Sequence, residues 1–220
     1  MSSQDQPVTL RIDFVSDVAC PWCAIGLSSL RKALLKLRGE VTAEIHFQPF
    51  ELNPDIGPEG QDATEHLMQK YGSSAEQVDA NRAVIRARGE PLGFDFRMDR
   101  RSRINNTFDA HRLLHWAKLE GRHVALKLAL FRAYFSDGED ISAAATLLEL
   151  AEEVGLDRAQ AGQILESGRY AEEVRAQERF YLERGIRSVP ATIVNGRHLI
   201  SGGQPPEAFE QALRQLASTA

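Results

Sequence analysis

Asp13-Phe14-Val15-Ser16-Asp17-Val18-Ala19-Cys20-Pro21-Trp22-Cys23-Ala24-Ile25-Gly26 joins an apolar run to a helical pattern through the only two cysteines of the chain. Upstream, Val8, Leu10, Ile12 and Phe14 alternate with Thr9, Arg11 and Asp13, the period-two pattern of a strand. Downstream, Ile25, Leu27, Leu30, Leu34 and Leu37 recur at helical spacing as far as Gly39. A strand that runs into C-x-x-C and then a helix puts one sulfur at a helix N-terminus. Unpaired N–H groups and the positive end of the macrodipole favour a thiolate there. Residues i and i+3 on a helical turn lie about 5–6 Å apart, which suits the Cα separation of a disulfide. The pair can open and close with little backbone movement, and that points to redox work.

Bulk composition narrows the class. A chain of 220 residues buries one large core, or one core with an insertion. Hydrophobic content of 43% and charged content of 26% are ordinary for a globular protein. A net charge of −5 gives no electrostatic reason to expect nucleic acid as a partner. No stretch approaches the ~18 apolar residues of a membrane span. The opening Met-Ser-Ser-Gln-Asp-Gln-Pro has neither a basic region nor an apolar one, so a cytoplasmic location is expected. In that setting C-x-x-C reads as catalytic or metal-binding rather than as a structural staple.

Further along, Val41–Phe50 is a second strand, closed by Asn53-Pro54 and Gly57-Pro58. From Asp62 to about Gly168 the pattern turns helical. Ser74-Ala75-Glu76-Gln77 fits a capping box opening a helix that ends near Gly89. Pro91–Arg103 is irregular; helices are then predicted over Thr107–Glu120, His123–Phe135, Ser142–Val154, a short stretch after Asp157, and Tyr170–Arg184. Ala191–Val194 and Arg197–Ile200 flank Asn195-Gly196, a strong hairpin signal, and a last helix covers Glu207–Leu216. The expected architecture is α/β: a β-α-β part over residues 1–60, an all-helical insertion over 61–168, and a helix, hairpin and helix over 169–220.

This order, with Cys-Pro-Trp-Cys after the first strand and Val189-Pro190 before the final hairpin, resembles a thioredoxin fold. It is most similar to the DsbA-like branch and its cytoplasmic FrnE-type oxidoreductases. Asn106-Thr107, Ala110-His111-Arg112-Leu113, Ser188 through Gly196 and Ser201-Gly202-Gly203-Gln204 extend the resemblance over nearly the whole chain. It implies a cis Pro190 packed beside the cysteines, with the Val189 backbone offered to an extended substrate as an added strand. The 2-hydroxychromene-2-carboxylate isomerases are similar in architecture, but resemble this chain with serine in place of the cysteines. Having both Cys20 and Cys23 favours thiol–disulfide exchange. A glutathione-dependent small-molecule isomerase or transferase, and a non-catalytic peptide-binding module, stand as the other readings.

Cys20 is expected to attack, being nearest the surface, and Cys23 to resolve the mixed disulfide. Pro21 and Trp22 tune the pair; Trp22 either shields the site or touches substrate. Asp13 and Asp17 are each either a proton relay to Cys23 or, respectively, a paired strand charge and a helix-side cap. Asn106, Thr107, His111, Phe94 and Phe96 are candidate cleft residues, the two phenylalanines alternatively core. His111 and His115, at i and i+4, make a formal Cys₂His₂ set with the cysteines, but far outside the short spacing of metal fingers, so no metal is expected. Arg97, Arg100, Arg101 and Arg103 read as a solvated basic loop, or else as a subsite for an anion or glutathione. The disulfide is its own redox centre, so no cofactor is called for, with glutathione a candidate co-substrate. Expected partners are protein, peptide or small-thiol disulfides, and the chain a monomer or homodimer. Pro21-Trp22 adds no cation, so the couple is expected between about −120 and −270 mV.

Overall fold

In the computed structural model, which describes residues 6–219, a four-stranded sheet carries the cysteine pair at one end. Strand β1 (Val8–Ser16) leads through helix α1 (Pro21–Lys36) to β2 (Val41–Pro49), which lies parallel to it with Val8 opposite Val41 and Ser16 opposite Pro49. A parallel pair needs such a crossover, and α1 supplies it. Strand β5 (Ala191–Val194) runs antiparallel to β1, and β6 (His198–Ser201) antiparallel to β5, so the sheet order is β2-β1-β5-β6. Asn195 and Gly196 both have positive φ, 51° and 68°, in the three-residue connection between the paired Val194 and His198, where the Arg197 N–H donates to the Val194 carbonyl. Asn195 also hooks the hairpin onto β1: its N–H donates to the Arg11 carbonyl, and its side-chain oxygen accepts from the Arg11 N–H.

The pleat sorts β1 by face. Leu10, Ile12 and Phe14 enter the main core with Phe209 and Leu213 of α9 (Pro206–Ala217) and the buried residues of α1. Val15, on the other face, packs with Tyr181, Ile186 and Ala191. Tyr181 belongs to α8 (Ala171–Glu183), whose cover explains why the second half of β1 is buried on both sides.

Between β2 and α8 lie α2 (Ala63–Tyr71), α3 (Ala75–Gly89), α4 (Phe108–Leu119), α5 (His123–Arg132), α6 (Ala144–Glu153) and α7 (Arg158–Ser167). Their starts follow local chemistry. Asp62 caps α2 by accepting from the Thr64 and Glu65 N–H groups, and the Ser74–Gln77 capping box is formed in full. Two features depart from the sequence reading. The helix expected over His123–Phe135 is α-helical only to Arg132 and widens into a π turn over Ala133–Asp137, closed by Gly138 at φ 78°. A two-residue ladder, β3 (Gln61–Asp62) with β4 (Arg103–Ile104), ties α2 and α3 to the start of α4. Strands this short carry no periodicity to read.

Candidate active site

Cys20 is the N-cap of α1, with extended backbone (φ −94°, ψ 113°) and no capping hydrogen bond from its side chain. Pro21 follows at the first helical position, where its missing N–H costs nothing. The Cys20 carbonyl accepts from the N–H groups of Cys23 and Ala24, so both sulfurs belong to one helical turn. Both cysteines are reduced. The Cys20 thiol points at the Val189 carbonyl, Sγ to O 3.8 Å. Val189 and Pro190 are joined by a cis peptide bond, and the Pro190 carbonyl is held by the Gly202 N–H.

Beneath the pair the structure gathers charge. Cys23 is fully buried; desolvation, then its hydrogen bond with Cys20, push its thiol well up. Lys127 opposes this: its ammonium is the charge that favours the Cys23 thiolate. Lys127 is itself fully buried, its Nζ has no hydrogen-bond partner, and it sits 5.1 Å from the Phe131 ring centroid and 5.6 Å from that of Phe47. Burial pushes it down to about 8, with Cys23 and Asp17 pulling the other way.

Asp17 is buried, and its carboxylate accepts from the Leu52 N–H at 2.7 Å and the Ala19 N–H at 3.2 Å. His111 Nε2 stands 3.5 Å from it, outside hydrogen-bond geometry. Burial opposes ionisation of Asp17, yet His111 and the two N–H groups outweigh it and hold the carboxyl below its usual range. Asp17 thus braces the turn before Cys20 against residue 52, while its own carbonyl accepts the Cys20 N–H.

Cys20 opens onto a cleft of about 690 Å³ between the start of α1, residues 50–53, the pair α2 and α3, and residues 187–189. Pro21, Trp22 and Val189 line it beside Cys20. Apolar wall comes from Ile85, Met98 and Ile104, and Tyr71 stands exposed at the rim. A cleft of this size fits a small molecule or a short peptide segment.

Several candidates fall elsewhere. Cys20 is only 4% exposed: it reaches solvent through the cleft and not as a surface residue. Asp13 lies on the α8 face of β1, held by Arg11 at 3.1 Å and by Gln48 at 2.7 Å, so it is a paired strand charge and not a relay. His111 faces Asp17 and not the cleft. His115 stacks on Tyr170, ring centroids 4.9 Å apart, so the Cys₂His₂ set is not assembled. Phe94 and Phe96 stack on each other at 4.4 Å, and Phe96 reaches Phe135; Phe96 is core, closely seated on Gly89, and Phe94 is half-buried against that core, neither lining the Cys20 cleft. Asn106 caps the Phe108 N–H and donates to the Pro54 and Ile56 carbonyls, and Thr107 is buried at the start of α4; neither lines the cleft. The basic run divides: Arg97 pairs with Asp99, Arg103 binds the Glu59 and Gly60 carbonyls, and Arg101 alone turns inward to the cleft.

Sequence reasoning missed Lys127, and it named Arg101 only within a basic run without singling it out. Lys127 sits in an apolar helix, where one lysine reads as a solvated break. The available signal was its own face, shared with Val124, Leu130 and Phe131. Arg101 was hidden among three neighbours of the same charge.

The Ser201-Gly202-Gly203-Gln204 stretch underlies the site. A Cβ on Gly203 would lie 2.9 Å from the Trp22 carbonyl oxygen and 3.5 Å from Ile25. The Trp22 carbonyl cannot yield without moving the start of α1. Gly203→Ala is therefore expected to cost about 1–3 kcal/mol, read as a lowered urea midpoint; an unchanged midpoint would show that the helix start is free to shift.

A thioredoxin-type sheet with a dithiol at a helix start, facing a buried Pro190, defines a thiol–disulfide oxidoreductase class of protein. The chain belongs to the DSBA-like thioredoxin domain family, matched over residues 11–214. The structure of a probable DsbA oxidoreductase, SCO1869 from Streptomyces coelicolor, is similar with a TM-score of 0.87 and 38% identity, covering 96% of this chain and 90% of that one. The uncharacterized protein YwbO of Bacillus subtilis (strain 168) is 28% identical over 207 residues, 94% of this chain and 96% of that protein. The cytosolic disulfide reductase DsbM from Pseudomonas aeruginosa shares the fold, with a TM-score of 0.65 and 19% identity over 96% of this chain and all of its own.

Proposed function

We propose that the protein is a thiol–disulfide oxidoreductase cycling Cys20 and Cys23 between dithiol and disulfide, on small-thiol or peptide disulfides that enter the cleft. The observation that carries this is the placement of Cys20: at the head of a 16-residue helix, open to the cleft, with Cys23 buried one turn below. Cys20 thiolate attacks one sulfur of the substrate and expels the other as a thiolate. Cys23 then loses its proton, attacks Cys20, and releases the second substrate thiol. Lys127 supports that step by favouring the Cys23 thiolate, and Val189 offers its carbonyl beside the reacting sulfur. Glutathione is a natural candidate for restoring the dithiol. Among the described residues no helix is long and apolar enough to cross a membrane, and a cytoplasmic setting is part of this proposal.

Lys127 and Arg101 both lie within electrostatic reach of the cysteine pair. These are cations that Pro21-Trp22 does not supply, and they stabilise the reduced, thiolate-bearing form. The couple is therefore expected to be more oxidising than the thioredoxin end at about −270 mV. Equilibration in glutathione buffers, with the alkylation mass shift as readout, measures it. A value at or below that end, or a pair that never oxidises, would overturn the assignment.

A further inference from the structure

The cleft is cationic in a chain that is acidic overall. Lys70, Arg82, Arg101 and Arg187 line it, and Glu51 is the only acid among its described lining residues. Glu51 is engaged from outside by Arg175. Arg82 is paired with Asp79 at 2.9 Å and also donates to Thr64. Lys70 donates to the Leu52 carbonyl and to Asn53, and Arg187 is exposed.

Arg101 differs from all of these. It is 5% exposed where Arg82 is half-buried, and no carboxylate among the described residues pairs with it; its Nε, like that of Arg82, is buried without a hydrogen-bond partner. Its guanidinium lies over Tyr134 and Phe135, 5.5 and 5.8 Å from their ring centroids, so aromatic faces fix its plane. A buried guanidinium normally has an anion to meet its donors, and leaving it bare is costly. Here the missing partner has room to enter, because the group sits in the wall of the same cleft as Cys20.

The geometry points to Arg101 as the anchor for a carboxylate carried by a small disulfide whose sulfur is delivered to Cys20. This rests on the redox reading above and names its substrate class: anionic low-molecular-mass disulfides, in preference to neutral or cationic ones. The planar fork of arginine suits a carboxylate in two-point contact. The surrounding positive field, focused by the cleft walls, draws such substrates in and repels ammonium-bearing ones. The electron balance is that of the exchange already described: two electrons pass from the Cys20–Cys23 dithiol to the disulfide, which leaves as two thiols.

The test mixes reduced protein with three small disulfides in a single turnover: 3,3′-dithiodipropionate, bis(2-hydroxyethyl) disulfide and cystamine. Each rate is divided by that of the same disulfide with free 2-mercaptoethanol, which removes intrinsic reactivity. The dianion should be fastest and the dication slowest, with the spread shrinking as salt rises. Arg101→Gln should reduce the dianion-to-neutral ratio by about ten- to a hundredfold, the usual worth of a charged hydrogen bond, and Arg101→Lys should retain part of it. A wild-type ratio near one, or an unchanged ratio in a folded Arg101→Gln protein, would overturn the anchor. Calorimetric binding of glutarate, a dicarboxylate without sulfur, reads the site apart from redox chemistry. Wild type should bind it and Arg101→Gln should not. Binding of glutarate with no oxidation by any disulfide would sink the redox reading and the substrate class together. Exchange without glutarate binding or charge preference would sink the anchor alone.

Discussion

Cys20→Ser should lose thiol–disulfide exchange, by on the order of a thousandfold or more in single-turnover rate, since an unactivated hydroxyl cannot replace the thiolate. Cys20 is the cysteine that lines the cleft, and the buried Cys23 has no path to substrate except through it. Cys23→Ala should behave differently. It should still accept one substrate thiol on Cys20 and then stall, leaving a mixed disulfide visible by mass. The two variants together test the order of attack. If Cys23→Ala never accumulates the adduct, or Cys20→Ser does, the roles are reversed. Steady turnover of a small molecule by Cys20→Ser would instead support glutathione-dependent isomerisation.

Lys127→Met should make the protein more stable and less able to complete exchange. A lysine buried without a partner is costly to keep charged. Its folded value of about 8, against the ordinary 10.5, corresponds to on the order of 3 kcal/mol. Below about pH 8 both folded and unfolded chains hold the proton, and the full cost is present. Between there and pH 10.5 the unfolded chain holds a proton that the folded chain has released, so stability rises with pH. Above 10.5 the cost is gone. Methionine, close in length and apolar, should raise the urea unfolding free energy at pH 7 by up to about 3 kcal/mol. The gap from wild type should narrow as pH rises through that window. An equal gap at pH 7 and pH 10.5 would show that Lys127 is not paying a burial cost.

The same substitution removes the charge that favours the Cys23 thiolate. Each unit by which that thiol rises leaves tenfold less thiolate, so resolution of the mixed disulfide should slow by about tenfold or more. Stability gained with exchange lost is the mark of a group kept for chemistry. A variant that resolves as fast as wild type would leave Lys127 without a role at the sulfur pair.

The frame of the molecule was readable from short stretches. The alternation in Val8–Val15, the helical spacing from Ile25 to Leu37, the Ser74 capping box and the Asn195-Gly196 turn each encode local structure through neighbours along the chain. The observed elements follow them closely. The β3–β4 ladder was not readable, because its two ends lie far apart in sequence and each is too short to show a period. The π turn after Arg132 was likewise invisible, since its residues continue an ordinary helical pattern.

Cys20 and Cys23 could be named without coordinates because the chemistry needs them adjacent on one turn. Their surroundings could not. Asp17 and Asp13 are four residues apart on similar-looking sequence, yet Asp17, in the turn beyond the end of β1, meets His111 and the Leu52 N–H, while Asp13, still inside the strand, meets Arg11. Lys127 arrives from α5 and Arg101 from the loop before α4, and sequence spacing carries no information about either approach. What makes them functional candidates is burial without a partner, a property that exists only once distant segments have packed and excluded water.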